Sequence, residues 1–315
     1  MKVSVIIPCF KSGRYVLEAV DSVLNQKGES HLLEVIVIDD HNDDPETLDA
    51  LELLRNGYSN NDIVKVIENI NERGPGAARN CGIRYAQGDW IAFLDADDKY
   101  SEYSLDMRCK AAEQYPQCGW IGADFSIWQD DKEIKEISFF RNKFSTGVLK
   151  EVYQLNREVI VEEPMSELLC SGLTNTISSM IRKELIEKIG GFDNSFRLQQ
   201  DYHLFLRLSR ISTGFVFVPK ICAFYRQHSN NSTKSYLNTA KWRIKVFESL
   251  LSEKSFQEYR SIFLAKIAKH YLGLSYGYRE IKDYSEARRM ALYAIRFDLL
   301  NFKNWKCLLA SLIRA

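Results

Sequence analysis

Apolar runs and helix-period patterns alternate through the first half of the chain. Val3–Pro8 reads as a buried strand, and Tyr15, Val16, Ala19, Val20, Val23 and Leu24 recur at helical spacing. Glu34–Ile38 predicts a second strand ending in Asp39-Asp40, after which Asp44-Pro45 opens a helix as N-cap and first-turn proline. Val64–Ile67 predicts a third strand, Gly76–Ala86 a short helix stopped by Gly88, and Trp90–Leu94 a fourth strand. Alternation of this kind predicts an α/β fold with a doubly wound, mostly parallel sheet flanked by helices. Such sheets bind ligands in the crevice beyond the strands' C-terminal ends. Asp39, Asp40 and Asp95–Asp98 all fall at such ends, so they are expected to converge on one crevice.

The pattern then loosens. Residues from about Asp130 to Ser171 mix apolar and charged positions without a clear period and are expected to be loops on the substrate side. Ile177–Ile181 predicts a strand and Lys183–Ile189 a short helix ended by Gly190-Gly191. Asp201–Leu208 reads as helix, and Phe215–Val218 and Ile221–Tyr225 as two strands split by Pro219. After Thr233 only helical patterns follow: Tyr236–Ser252, Phe256–Tyr278, Ser285–Phe297 and Asn304–Ile313. The small residues Ala287, Ala291 and Ala294 have the spacing of a single tetratricopeptide-like hairpin, which is too little for a solenoid. The expected division is therefore a catalytic domain over residues 1–232 and a helical extension over residues 233–315.

At 315 residues with 45% hydrophobic content, the chain can bury a sizeable core. It contains no run of 18 apolar residues, so no membrane-spanning helix is expected, and its first residues lack the layout of a signal peptide. Seven scattered cysteines, none in a Cys-x-x-Cys pair, read as reduced thiols of a cytoplasmic protein without structural zinc. The net charge of zero hides an uneven spread. Thr233 to Ala315 carries 16 Lys+Arg against 7 Asp+Glu, and the remainder carries 26 against 35. A basic extension suits either a solvated helical surface or an anionic membrane surface, which would place the protein peripherally on the inner face of the cell membrane. No nucleic-acid-binding motif accompanies the charge, so nucleic acid is not an expected partner.

The densest chemistry lies at Trp90-Ile91-Ala92-Phe93-Leu94-Asp95-Ala96-Asp97-Asp98, an apolar run that stops in three carboxylates. Carboxylates at a sheet's edge can hold Mg2+ or Mn2+, and through it a diphosphate. They can equally end a strand or cap a helix.

Four segments in this order resemble family 2 glycosyltransferases of the GT-A fold. Val3–Phe10 is similar to the family's opening strand and Val37-Ile38-Asp39-Asp40 to its second strand. Gly74–Ile83 is similar to its Gly-x-x-x-Ala-Arg-Asn-x-Gly segment, and Phe93–Asp98 to its DxD motif. The likeness covers roughly residues 1–230. It implies metal-dependent, inverting transfer of a sugar from a nucleotide-diphospho-sugar, UDP-linked, to a glycan or lipid-linked glycan, as in bacterial surface polysaccharide synthesis. Asp40 would accept a hydrogen bond from the base, Pro8 would lie beside it through backbone contacts, and Arg79 would approach base or phosphates. Asp97 would bind Mn2+ or Mg2+, Asp95 would contact ribose or donor sugar, and Asp98 would support them or cap the next helix. Asp201 matches the carboxylate that takes the acceptor's proton, and His228, in Tyr225-Arg226-Gln227-His228, would complete the metal shell or contact the diphosphate.

Each assignment has a plainer structural reading. Asp40 can form a turn, Arg79 a surface ion pair and Asp201 a helix cap, while His228 can be structural. The chain also departs from the family pattern. Gln200 replaces the Glu that usually precedes the base, Lys11 stands where Asn is frequent, and His41-Asn42 replaces Gly-Ser. No Gln-x-x-Arg-Trp motif of processive synthases is present. Two other classes remain open: a nucleotidyltransferase, which would need more glycine than the single Gly13 after the first strand, and a degenerate domain kept for binding, for which Gln200 speaks.

Overall fold

The computed structural model describes the chain except residues 30, 59–61, 130–136, 144–152, 155, 172–174, 229–234 and 313–315. The chain divides into two compact units, Met1–Ser229 and Asn230–Ala315. The boundary expected after residue 232 lies outside the described residues.

Unit 1 is built on one mixed sheet. Its strands are β1 (Val3–Cys9), β2 (Leu32–Asp39), β3 (Val64–Glu68), β4 (Trp90–Phe93), β5 (Lys99–Tyr100), β6 (Trp120–Gln129), β7 (Val159–Val161), β8 (Ser179–Arg182) and β9 (Phe215–Gln227). Their order is β3-β2-β1-β4-β8-β6-β9-β5, with β7 paired to β9. The first four strands run parallel, and β8 joins antiparallel to both β4 and β6. Strand order reverses at β1, so a crevice is expected where β1 and β4 part. The pairing supplies that gap. β4 accompanies β1 only from Val3 to Ile6, whereas β2 stays with β1 through Cys9. Pro8 therefore sits where β1 has no β4 neighbour, and its missing N–H costs the ladder nothing on that side.

The helices around the sheet follow from the apolar periods. They are α1 (Tyr15–Leu24), α2 (Pro45–Gly57), α3 (Pro75–Tyr85) and α4 (Ser104–Gln114), then α5 (Phe139–Lys143), α6 (Pro164–Ser171), α7 (Lys183–Lys188) and α8 (Gln200–Leu208). Val16, Ala19, Val20 and Val23 of α1 are buried, and Asp44 caps α2 by accepting from Thr47 N. Helix α3 approaches the sheet through Gly82, where a Cβ would lie 2.5 Å from Ile6 Cγ2.

Three expectations need correction. The stretch expected to be loops contains, among its described residues, α5, β7 and α6. Strand β7 has three residues and α5 five, too few for a period to emerge from the sequence. Pro219 does not split a strand; β9 is continuous, and its register against β6 slips around Asp124, so Val218 pairs with Ala123 and Ile221 with Asp124. A bulge takes proline and lysine out of the ladder without ending it. Finally, β6 escaped the reading because buried Asp124 and Ser126 interrupt its apolar run. Asp124 accepts from Phe125 N, Phe140 N, Ser138 Oγ and Tyr153 OH, which satisfies its burial and ties α5 to the sheet.

Unit 2 is helical: α9 (Tyr236–Leu251), α10 (Arg260–Glu280), α11 (Tyr284–Phe297) and α12 (Phe302–Leu312), with a 3-10 segment Lys254–Tyr259 where helix was expected from Phe256. Ala287, Ala291 and Ala294 are buried, and Ser275 Oγ reaches Ala287 O at 2.6 Å, so the small residues let α11 lie close to α10. All seven cysteines are free, and six are buried. Burial pushes the Cys9 thiol up to about 12 and Cys222 to about 11, which leaves both protonated and unreactive.

Two measurements check this packing. Gly82→Ala should cost about 1–3 kcal/mol in urea denaturation, because the added methyl meets backbone-anchored Ile6. Paired with Ile6→Ala it should cost less than the two single changes summed. His203 is buried against Phe196, rings 4.5 Å apart, and neither ring nitrogen has a hydrogen-bond partner. Burial, aided by Arg207, lowers its pKa to about 4, below the unfolded value near 6.5. As pH falls the unfolded chain therefore protonates first. The stability held above about pH 6.5 is lost on the way to about pH 4, on the order of 2–3 kcal/mol between pH 7.5 and 4.5. The difference between wild type and His203→Phe should change by that amount across this window.

Candidate active site

Three loops meet at the open end of the β1–β4 gap. The first joins β2 to α2. Asp39 accepts from Asn42 N at 3.1 Å and Asn42 Nδ2 at 2.7 Å, and the same amide reaches Cys9 O at 2.9 Å. Lys11 N donates to Asn42 Oδ1 at 2.7 Å, so Asn42 joins the β1 and β2 loops. Two of the departures from the family pattern fall at left-handed backbone positions. Lys11 (φ 49°) and His41 (φ 60°) occupy the left-handed region, where Asn and Gly are favoured and lysine is strained.

Asp40, 3% exposed, accepts from Asn69 Nδ2 at 2.7 Å and from Gly74 N at 3.0 Å. Burial raises its pKa, and those two hydrogen bonds offset only part of the rise. Asp40 thus anchors the start of α3 to the end of β2. Asn69, which supports it, carries no signal in the sequence.

Helix α3 presents two polar side chains in succession. Arg79 is buried rather than at the surface, and Nη2 grips Asp95 Oδ1 at 2.5 Å. Its guanidinium also faces the Phe192 ring at 5.6 Å. Asn80 holds the segment before α8, donating to Phe192 O at 2.8 Å and Asn194 Oδ1 at 2.9 Å while accepting from Phe192 N at 2.8 Å. Gly191, at φ +72°, passes so close to Asn80 that a Cβ would sit 2.5 Å from Oδ1. The Arg-Asn dipeptide therefore connects the carboxylate turn to the segment that carries Asp201.

That turn is closed by Asp98 N donating to Asp95 O at 3.0 Å, and it spreads three carboxylates. Asp95 pairs with Arg79. Asp97 Oδ2 lies 2.8 Å from His228 Nε2, and the His228 ring packs on Tyr15 at 5.9 Å. Asp98 is buried, accepts from Arg226 N at 2.8 Å and leaves Oδ2 without a partner. It does not cap a helix. Burial and the mutual repulsion of the three groups raise the pKa of Asp97 and lift that of Asp98 well above the usual range. Arg226 is buried. Nε donates to Asp97 O at 2.7 Å and Nη2 to Glu18 Oε2 at 2.7 Å, and the plane lies 4.1 Å from the Tyr15 ring centre and 4.2 Å from that of Trp128.

The excess of negative charge is what a divalent cation would relieve. Asp97 and His228, 2.8 Å apart, are the side chains that could hold one, with Asp95 in the same turn. Among the described residues, no group of three or more potential ligands is assembled as a closed metal cage. Two protein ligands and open positions suit an ion shared with a diphosphate. Asp201 stands in the first turn of α8, with Oδ1 accepting from Tyr202 N at 2.8 Å. Gln200 faces the start of α3, with Cβ 3.8 Å from where a Gly76 Cβ would be. Asp201 is thus reached from the carboxylate turn through α3 and the Asn80 clamp.

Residues 4–160, about half the chain, match the family described as Glycosyl transferase family 2. The chain is 28% identical over 240 residues to the amylovoran biosynthesis glycosyltransferase AmsB of Erwinia amylovora, covering 73% of this chain and 74% of that one. It is 38% identical over 105 residues to a poly(ribitol-phosphate) beta-glucosyltransferase of Bacillus spizizenii, a match spanning 33% of this chain and 16% of that much longer protein. In fold it is similar to S. aureus TarS 1-349 in complex with UDP-GlcNAc, with a TM-score of 0.69 at 16% identity over 99% of this chain and 89% of that one. The GT-A architecture, the ordered motifs and these relatives together establish that the chain belongs to glycosyl transferase family 2.

Proposed function

We propose that this enzyme transfers a sugar, with inversion, from a UDP-linked donor to a glycan or lipid-linked glycan acceptor in bacterial surface polysaccharide synthesis. The observation that carries the reading is the contact of Asp97 with His228 after β4, with Asp40 at the end of β2 on the other side of β1; the first would suit a diphosphate and the second a nucleotide base. Support for the donor comes from TarS, whose structures hold UDP-GlcNAc and UDP. Support for the pathway comes from AmsB and the poly(ribitol-phosphate) glucosyltransferase.

On this reading Asp40 accepts from the uracil N–H with lone pairs left over from Asn69 and Gly74, beside the Pro8 backbone. Arg79 holds Asp95 in place to meet ribose or donor sugar. Asp97 and His228 would hold Mn2+ or Mg2+, and such an ion would supply Lewis-acid stabilisation to the leaving diphosphate. Asp201 takes the proton from the acceptor hydroxyl as that oxygen bonds the anomeric carbon and the bond to UDP breaks. Gln200, uncharged, leaves Asp201 without a like-charged neighbour on its N-terminal side.

A screen of nucleotide sugars for UDP release, with Mn2+ and with Mg2+, tests the class. Asp201→Asn should lower transfer by about 10²–10⁴-fold while leaving UDP affinity intact. Asp97→Asn should weaken both transfer and metal-dependent UDP binding. Full activity in Asp201→Asn would overturn the assignment of the base.

A further inference from the structure

Helix α12 is packed the wrong way round for a soluble helix. The face turned to its neighbours carries small polar groups: Asn304 (1% exposed), Cys307 and Ser311. Asn304 Nδ2 donates to Ala294 O at 3.1 Å and Asp298 O at 2.9 Å, and Cys307 Sγ meets Ser275 Oγ at 3.2 Å. Apart from half-buried Leu308, the large apolar residues point outward instead. Phe302 (76% exposed), Trp305, Leu309 and Leu312 form one stripe at i, i+3, i+7 and i+10, continued by Leu299 and Leu300 (94% exposed) in the turn before the helix. Trp305 Nε1 donates to Leu299 O at 2.9 Å, which fixes the indole over that turn. Lys303 and Lys306 are exposed along the border of the stripe, and no acidic residue occurs from Leu299 to Ala315.

We infer that this face lies in the interface of an anionic phospholipid bilayer, apolar side chains among the acyl chains and lysines at the headgroups. An apolar stripe with aromatic residues and a lysine border is the composition of helices that rest in the membrane plane. The surplus of 16 Lys+Arg over 7 Asp+Glu from Thr233 onward adds long-range attraction to the same surface. A second copy of the chain fits less well, since two-fold pairing of this face would bring together two surfaces that both carry Lys303 and Lys306 and no acidic residue from Leu299 onward. The inference narrows the membrane expectation drawn from charge to one helix face, and it does not depend on the proposed reaction. Membrane contact here is in-plane: among the described residues no helix is long and apolar enough to cross a bilayer.

The test is co-sedimentation of the full chain with phosphatidylcholine vesicles, alone or mixed with phosphatidylglycerol. Binding should require the anionic lipid and weaken as salt rises. Brominated lipid should quench tryptophan emission, and Trp305→Phe should remove most of that quenching. Phe302→Ser with Leu309→Ser, and separately Lys303→Glu with Lys306→Glu, should each reduce binding at least about tenfold, with circular dichroism and melting temperature unchanged. Absence of binding to mixed vesicles, or binding indifferent to both pairs of changes, would overturn the inference. So would a concentration-dependent dimer that the Phe302/Leu309 changes dissolve. UDP release in detergent-free solution, measured on the same variants, separates this outcome from any failure of the catalytic reading.

Discussion

Arg226 carries a positive charge into the interior directly behind three carboxylates, and the carboxylate turn takes its shape from that one side chain. Its backbone N–H meets Asp98, its Nε meets the carbonyl of Asp97, and its remaining amine meets Glu18 on α1. The rings of Tyr15 and Trp128 both lie against the guanidinium. A guanidinium suits this place because its fork and flat faces are both used, which an ammonium could not match. The strand that delivers Arg226 delivers His228 two residues later, on the same side, within reach of Asp97. The turn after β4, helix α1 and the end of β9 are therefore fixed together. These contacts fix the turn despite the repulsion within it.

Helix α3 plays the corresponding part on the other flank. Asp40 grips its first turn, Arg79 reaches forward to Asp95, and Asn80 reaches sideways to the segment before α8. Gly82 lets the helix sit close enough to β1 for all three reaches to span. The segment that resembles a nucleotide-binding signature also braces the end of β2, the carboxylate turn and the segment before the Asp201 helix. Rigid elements of this kind lower the cost of ordering a site when its ligands arrive.

The legible part of the fold was the part with long, regular periods. Strands β1, β2 and β4 and the helices between them were visible because each buries one apolar set, and the carboxylate ends were visible because the apolar run stops there abruptly. The hidden parts share a different trait: their polar groups are buried and paired. Asp124 and Ser126 masked β6, and Pro219 mimicked a strand break that a bulge absorbs. Of the candidate site, the acids were readable but their partners were not. Asn69, Phe192 and Glu18 act through contacts distant in sequence, and nothing local marks them. Arg226 was readable as an arginine near the site, yet its side chain faces the core, because the strand's alternation sends its neighbours Tyr225 and Gln227 the other way.

The loops after β1 and β2 are joined by Asn42, which bonds Cys9 O, Lys11 N and Asp39 at once, and by Thr47, whose Oγ1 accepts from Gly13 N at 2.8 Å. Two segments that are separate in sequence thus form one exchangeable cassette. In building chimeras between related transferases, residues 9–13 and 39–47 have to be transplanted as a matched pair. Moving either alone would strand an amide against a carbonyl that its new partner loop does not place.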